Sequence, residues 1–413
     1  MATRDSAALT EWITREGLRG ADAADLLQGF CERLVAAGVP LLRSHVAQSA
    51  RHPVLGGIGF NWHRDGTKTP REGYDHTPTP REQWRSSPFY FMMREGQPVL
   101  RRDLRQPRAS GEFPLLAELA AAGGTDYYAV TVSFDRDDVT MPVDPNNPPA
   151  GLIASWTTDA ADGFSDDQIA LIDELLPALG LALKSASADR LAHDLLEAYL
   201  GRDAGRRVLS GDLRRGSLDA IRAVIWCFDL HGFTKLAETT PAPLLIDMLN
   251  DYFDVVVTTV ESHGGDVLKF MGDGLLAIFR FDDNDDACCD ALTAADELRG
   301  TLAEVNRRRA AADLPRAGSA MALHLGEVMY GNIGARHRLD FTVIGPAVNM
   351  ASRVLDLCRP LEHDLLISGP LAAAAKRDRA RIVSIGRYVL RGVAAPQELY
   401  TLVGPQYAVG AAQ

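Results

Sequence analysis

The stretch Ile221–Phe279 sets the tightest limit on what this chain can fold into. It opens with an unbroken apolar run, Ala223 to Phe228, that ends on Asp229, and the chain then turns sharply at His231-Gly232-Phe233-Thr234. Forty-four positions after Asp229 a second carboxylate, Asp273, sits at the tip of a Gly-Asp-Gly turn between two apolar runs. A carboxylate at the end of a buried strand is unfavourable unless a cation meets it. Two of them suggest a shared pair of divalent metal ions, Mg2+ or Mn2+.

The whole chain has 413 residues, which predicts more than one domain. A net charge of −12 excludes bulk nucleic-acid binding, which needs a basic footprint, but leaves room for a small anion held locally. Cys31, Cys227, Cys288, Cys289 and Cys358 have neither metal-ligand nor disulfide-framework spacing, so they read as reduced thiols. The start, Met1 to Asp5, lacks an apolar signal core, and no run reaches the ~18 apolar residues of a membrane span. The expectation is a cytoplasmic protein without a membrane span.

Before Ile221 the pattern alternates. Residues 8–38 predict two helices, and 39–46 and 54–62 predict strands. Residues 63–87, rich in Pro, Arg, Asp and Thr, predict an exposed loop. A short aromatic element at 88–97, a strand near Val99, a helix at 114–122 and strands at 127–134 and 151–156 follow, the last two joined by a loop at 144–149. Ser165-Asp-Asp-Gln168 is a capping box that opens a helix. Ile169, Ile172, Leu176, Leu179 and Leu183 then fall at alternating steps of three and four. That seam suits pairing of two chains, and equally a single amphipathic helix on its own sheet; Pro177 counts against the coiled coil. The helix resumes at 191–200 and breaks at 201–205, 210–217 reads as a turn-rich connector, and the arginines of this region (Arg202, Arg206, Arg207, Arg214, Arg215) form a solvated linker face. The order ending in GLIASW and GFSDDQIALIDELLPALGLAL resembles a GAF-type sensor domain. The resemblance implies an α/β regulatory domain over 1–190 with an unknown small-molecule or protein input, followed by a helical linker or transducer over 191–217. His45, His52, His63 and His76 lack metal spacing, and nothing marks Cys31 as an attachment point.

From Ile221 onward the elements predict strand, helix, hairpin, helix and strand, the ferredoxin-like order of an α+β domain. The loop Leu230–Thr234, with Gly232, Phe233 and Thr234, follows a strand and precedes a helix, so its backbone amides are free to cradle phosphate oxygens. Asn349 and Arg353 are four apart on a predicted helix and share a face. An amide there can orient a ribose, and a guanidinium can neutralise charge on a transferring phosphate.

FDLHGFT, KFMGD, HLGEVMYGNIG and FTVIGPAVNMASR resemble the successive signatures of class III nucleotidyl cyclases. The likeness covers about residues 221–403 within a catalytic domain set at 218–405. It implies that Asp229 and Asp273 bind two metals per active site, that Lys269 and Thr342 contact the base, and that Asn349 and Arg353 act on ribose and phosphate. Arg391, in VLRGV, stands where the family more often has a lysine on the terminal phosphates; it reads equally as a surface arginine. Lys269 can only donate and Thr342 can accept, a pair that matches adenine. The implied activity is conversion of ATP to 3′,5′-cyclic AMP and pyrophosphate by a homodimer with shared active sites. A guanylate or dual-specificity cyclase remains open because a hydroxyl also donates, and a non-catalytic nucleotide-binding regulator is the remaining alternative.

Overall fold

A computed structural model describes residues 2–49, 55–67, 72–75, 82–134, 142–146, 148–211, 216–281, 286–335, 337–378 and 380–403. The chain divides into two compact units, Met1–Leu195 and Leu196–Gln413.

The first unit begins with α1 (Ala2–Leu18), α2 (Ala23–Ala36), β1 (Leu41–Ser49), β2 (Leu55–His63), β3 (Glu72–Asp75) and the one-turn α3 (Glu82–Arg85). It continues with α4 (Pro88–Glu95), β4 (Val99–Asp103), α5 (Pro107–Ser110), α6 (Pro114–Ala121), β5 (Asp126–Ser133) and β6 (Gly151–Thr158). Helix α7 (Asp166–Leu200) follows and runs past the boundary between the units. The strands form an antiparallel sheet in the order β3-β2-β1-β6-β5-β4. Because side chains alternate along a strand, the sheet feeds a core on each of its faces. Val46, Tyr128, Val130, Leu152, Ala154 and Trp156 pack with Leu26, Phe30 and Leu34 of α2 and with α7. Leu100, Tyr127 and Ala129 face the other way, with Phe89 and Met92 of α4 and Leu116 and Leu119 of α6.

The seam on α7 has a definite use here. Ile172, Leu176, Leu179 and Leu183 are buried in the core of their own unit, which is the single-helix alternative; Ile169 packs beside them. The stretch read as loop, 63–87, instead contains β3 and α3. Strand β3 lacks an apolar alternation and owes its conformation to pairing with β2, where Gly59 faces Glu72 and Ile58 faces Gly73.

The second unit contains α8 (Arg202–Leu209), β7 (Leu218–His231), α9 (Phe233–Thr239), α10 (Ala242–Ser262), β8 (Asp266–Met271), β9 (Gly274–Arg280) and α11 (Ala287–Ala311). Then come β10 (Gly318–Ala335), β11 (Arg338–Ile344), α12 (Pro346–Cys358), β12 (Leu365–Ser368), α13 (Gly369–Ala374), β13 (Ile382–Tyr388) and β14 (Gln397–Leu402). Neighbouring strands in the order β10-β7-β9-β8 are antiparallel, α10 falls between β7 and β8 in the chain and α11 between β9 and β10, which is the ferredoxin-like arrangement. Strand β12 adds to β10 in parallel, β14 and β13 extend that edge, and β11 folds back on β10.

The apolar run in β7 is continuous because both faces of the strand are covered. Val224, Trp226, Phe228 and Leu230 are buried in the core that includes α10 and α11. Ala223, Ile225 and Cys227 join Ala351, Val354 and Cys358 of α12 in a second core. Burying one such large apolar side chain stabilises by about 1.5–3 kcal/mol, so the run fixes β7 as the central strand. All five cysteines are buried free thiols.

The break read at 201–205 and the solvated face read for the arginines are what change most here. Residues 202–209 form α8, whose Ala204 is fully buried. Asp203 accepts a hydrogen bond from Tyr330 Oη at 2.9 Å and is paired with Arg280. Arg207 pairs with Asp219 at 2.6 Å and lies over the rings of Tyr330 and Phe341, 5.2 and 5.9 Å from their centroids. Arginine spacing alone does not distinguish a solvated face from one stacked on rings that come more than a hundred positions later. Arg202 and Arg206 are exposed, and Arg214 and Arg215 lie outside the described residues.

The capping box forms as the sequence implies: Gln168 N–H donates to Ser165 Oγ at 3.3 Å and Ser165 N–H to Gln168 Oε1 at 3.0 Å. Ser165→Ala should therefore destabilise the first unit by about 1 kcal/mol, read as a lower urea midpoint with an unchanged slope.

Candidate active site

The candidate site starts where β7 leaves the core. Its register on β9 pairs Phe228 with Leu275 and Asp229 with Gly274, and Leu230 N–H donates to Asp273 O at 3.2 Å. Asp273 is therefore held beside Asp229 by backbone pairing, although the two are far apart in the chain. The approach is close enough to require glycine. A Cβ on Gly274 would lie 2.4 Å from Phe228 O and 3.1 Å from Asp229 Oδ1. Gly272, on the other side of Asp273, has φ +70, a left-handed conformation that closes the turn.

Partial burial pushes the Asp229 carboxyl up to about 6, with the charges of Asp273 and then Asp356 adding to the effect, against a lowering hydrogen bond from Leu230 N–H. Two like charges share one corner without a cation among the described residues to offset them. Their donor set, hard carboxylate oxygens, fits magnesium or manganese. No cluster of three or more potential metal-ligating side chains occurs among the described residues, so any metal here would complete its shell with substrate or water oxygens.

Beyond Asp229 the strand ends at His231 and Gly232 turns the chain with φ +79. The first bond of α9 runs from Leu236 N–H to Gly232 O. The amides of Phe233 and Thr234 precede it and have no intrahelical acceptor, the general condition of a helix start.

The residues assigned to the base lie on β8, which pairs with β9, and on β11, which pairs with β10. Lys269 on β8 reaches Asp340 on β11, Nζ to Oδ2 at 3.5 Å. Both side chains are substantially exposed, so this pair is weak and Lys269 is released to a ligand at little cost. Two positions beyond Asp340, on the same face of β11, Thr342 is 7% exposed and its hydroxyl has no hydrogen-bond partner among the described residues. A buried hydroxyl left unpaired is unfavourable and is a place where a ligand can supply the missing partner.

Helix α12 carries Asn349, which is exposed, and Arg353, which is half-buried. A Cβ on Gly392 would come within 3.5 Å of Arg353 Nη2, so the turn holding Arg391 and Gly392 lies against the Arg353 guanidinium. Arg391 is exposed in that turn rather than at a strand end. The structure thus brings together Asp229 with Asp273, Lys269 with the strand of Thr342, and Arg353 with the Arg391 turn.

Two neighbours were missed from sequence. Asp340 pairs with Lys269, and no local signal marks it. Asp356, which acts on Asp229, does have a signal: it follows Asn349 by seven positions and Arg353 by three, so it shares their helical face.

Residues 220–404 match the family model of the adenylate and guanylate cyclase catalytic domain. A 209-residue stretch is 35% identical to an uncharacterised protein of Mycobacterium tuberculosis, covering 48% of this chain and 35% of that protein. An uncharacterised Mycobacterium bovis protein is also 35% identical over 209 residues, covering 48% of this chain and 37% of its own length. The chain thus spans about a third of the length of these curated relatives. Among solved structures, the adenylyl cyclase CyaB from P. aeruginosa is 24% identical over 47% of this chain and 100% of that chain, with TM-score 0.42. The guanylyl cyclase Cya2 is 28% identical over 46% of this chain and 96% of its own, with TM-score 0.40. Residues 220–404 are accordingly a class III nucleotidyl cyclase catalytic domain. No helix of the described residues is long and apolar enough to cross a membrane.

The raised Asp229 carboxyl has a consequence for stability. Its folded value of about 6 lies above the unfolded value of 3.8. Below the unfolded value it is protonated in both states and contributes no penalty; as pH rises through the folded value, the ionised form destabilises the fold. Asp229→Asn in metal-free protein should therefore be more stable than wild type at pH 8, by on the order of 1 kcal/mol after solvent screening, or about 2–4 °C in Tm. The difference should close on approach to pH 4 in paired thermal scans across the pH range.

Proposed function

We propose that the cyclase catalytic domain is that of an adenylate cyclase, converting ATP to 3′,5′-cyclic AMP and pyrophosphate. The observation that supports the choice of base is the contact of Lys269 with Asp340 on β11, two positions from the buried Thr342 on the same strand. Adenine presents an acceptor at its ring nitrogen and a donor at its exocyclic amine. The Lys269 ammonium only donates, and the unpartnered Thr342 hydroxyl accepts.

Asp229 and Asp273 would hold two magnesium or manganese ions, which supply Lewis-acid stabilisation of the phosphates and lower the pKa of the ribose 3′ hydroxyl. The remaining work falls to the chain itself. Asn349 orients the ribose so that its 3′ oxygen faces the α-phosphate, and Arg353 neutralises charge growing on that phosphate as pyrophosphate leaves. The amides of Phe233 and Thr234 beyond Gly232 cradle phosphate oxygens, and Arg391 binds the terminal phosphates beside Arg353.

The working form is a homodimer in which the metal carboxylates and the Asn349/Arg353 pair of each site come from different copies. Phe270 and Met271 on β8 and Ile344 on β11 are about half exposed (53, 48 and 51%) and flank Lys269 and Thr342, so a second copy has an apolar surface to cover there. The first unit is read as a GAF-like sensor, with its signal passing through α7 and α8 to the catalytic unit. The Arg207 stack on Tyr330 and Phe341 supports this route, because Phe341 precedes Thr342 on β11.

Purified full-length protein incubated with ATP and magnesium or manganese should yield cyclic AMP. Asp273→Ala and Arg353→Ala should each lower the rate by at least about a hundredfold, the scale of losing one group that stabilises transition-state charge. Mixing the two variants should restore part of the activity, and no recovery in demonstrated mixed dimers would sink the shared site. Lys269→Glu combined with Thr342→Cys should shift preference from ATP toward GTP by at least about tenfold, read as a ratio of kcat/KM values in competition. An unchanged ratio would reject the assignment of the base contacts.

A further inference from the structure

We propose that the first unit holds a small organic carboxylate on the α4 face of its sheet, anchored by the guanidinium of Arg43. This deepens the reading of that unit as a sensor and stands apart from the cyclase chemistry.

The register places the pieces. Arg43 and His45 on β1 face Thr157 and Ser155 on β6, and Thr157 in turn faces Tyr127 on β5. These side chains share the face that packs on Phe89 and Met92 of α4. On the other side of β1, Asn61 lies opposite His45.

Arg43 Nη2 donates to Asn61 Oδ1 at 2.7 Å, and His45 Nδ1 reaches the same oxygen at 2.9 Å. An amide oxygen only accepts, so His45 carries its proton on Nδ1. Burial, with the charge of Arg43, drives His45 down to about 4, so the imidazole is neutral at pH 7 and adds no positive charge. Asn61 Nδ2 donates to Glu72 at 2.9 Å, and Tyr74 Oη donates to the other Glu72 oxygen at 2.6 Å. Asn61 therefore stands between the guanidinium and the nearest carboxylate.

Arg43 is left with one hydrogen bond for its five N–H donors, and it forms no ion pair among the described residues. Such a half-buried cation is unfavourable without an anion. Beside it, Tyr127 is fully buried and its hydroxyl has no hydrogen-bond partner among the described residues; Ser155 is near it but outside bonding geometry. Native structures leave few buried hydroxyls unpaired, and this one, close enough to interact with the Arg43 charge, is a second call for an acceptor oxygen. The cluster is also built around a glycine. A Cβ on Gly59 would lie 2.8 Å from Tyr74 Oη and 3.2 Å from His45 Cε1, so only glycine admits both.

A guanidinium fork matches carboxylate or phosphate equally well. With a single positive charge and Glu72 close by, the local field favours a monoanion over a dianion. The neighbouring Phe89 ring, 5.9 Å from that of His45, suits a ligand with an apolar body.

The test is isothermal titration of the full chain with benzoate as probe, using benzyl alcohol as its neutral counterpart and inorganic phosphate as the dianion. Benzoate should bind with Kd on the order of 1 mM, a reasonable value for a ligand of this size, and benzyl alcohol should give no saturable heat. Arg43→Gln should weaken benzoate at least about tenfold and Tyr127→Phe about threefold. Circular dichroism would confirm that each variant is folded; if Arg43→Gln is not, Arg43→Lys should still lose several-fold because it keeps the charge without the fork. Equal affinity in wild type and a folded Arg43 variant, no benzoate binding at ~50 mM, or phosphate binding as tightly as benzoate would each overturn the proposal. Because binding is measured without turnover, these outcomes leave the adenylate cyclase reading untouched.

Discussion

The candidate site depends on one close backbone approach. Strand β9 can lie against the end of β7 only because Gly274 has no side chain, and that contact places Asp273 beside Asp229. Two carboxylates held this way repel each other, and burial raises the energy of the ionised pair further. The fold tolerates the repulsion because β7 is fixed by apolar packing on both faces. Each buried side chain of the run contributes about 1.5–3 kcal/mol, so the strand holds against a local penalty of order 1 kcal/mol. Stability made in the core is thus used to keep a corner of the molecule poised for cations.

The same strand organises the rest of the catalytic unit. Odd-numbered positions of β7 face α12, which carries Asn349, Arg353 and Asp356, while even-numbered positions face α10 and α11. Strand β10, paired along nearly the whole length of β7, continues into the turn from which β11 returns with Asp340 and Thr342. A change in the tilt of β7 would therefore move the metal corner, the base strand and α12 together. Helix α8 touches this system at Tyr330 and Phe341, through Asp203 and Arg207. The residues just before the catalytic core are thus packed into it rather than joined to it by a loose linker.

In the first unit the balance is different. Its two cores are apolar, but the α4 face of the sheet also carries a polar cluster whose charges do not close on themselves. Asn61 links Arg43, His45 and Glu72 in one network while keeping the guanidinium and the carboxylate apart. A sheet that needed only stability would do better with apolar side chains at these positions, since half-satisfied buried polar groups are worse than none.

Local pattern by itself determined a good deal. The apolar run ending on Asp229, the Gly-Asp-Gly turn, the four-residue step from Asn349 to Arg353 and the Ser165 capping box are short-range features, legible because strand, turn and helix each impose a fixed period. The strand and helix order of the second unit followed from the same periods. Tertiary structure alone decided three things. It buried the Ile172–Leu183 seam in its own sheet, a choice that heptad spacing leaves open. It drew Arg207 of α8 from a solvated linker face into a stack, because Tyr330 and Phe341 offer it rings from distant strands. It also set Asp340 against Lys269, left Arg43 with a single hydrogen bond, to Asn61, and left the Tyr127 hydroxyl unpaired among the described residues, since whether a polar group is satisfied depends on partners that only folding brings near.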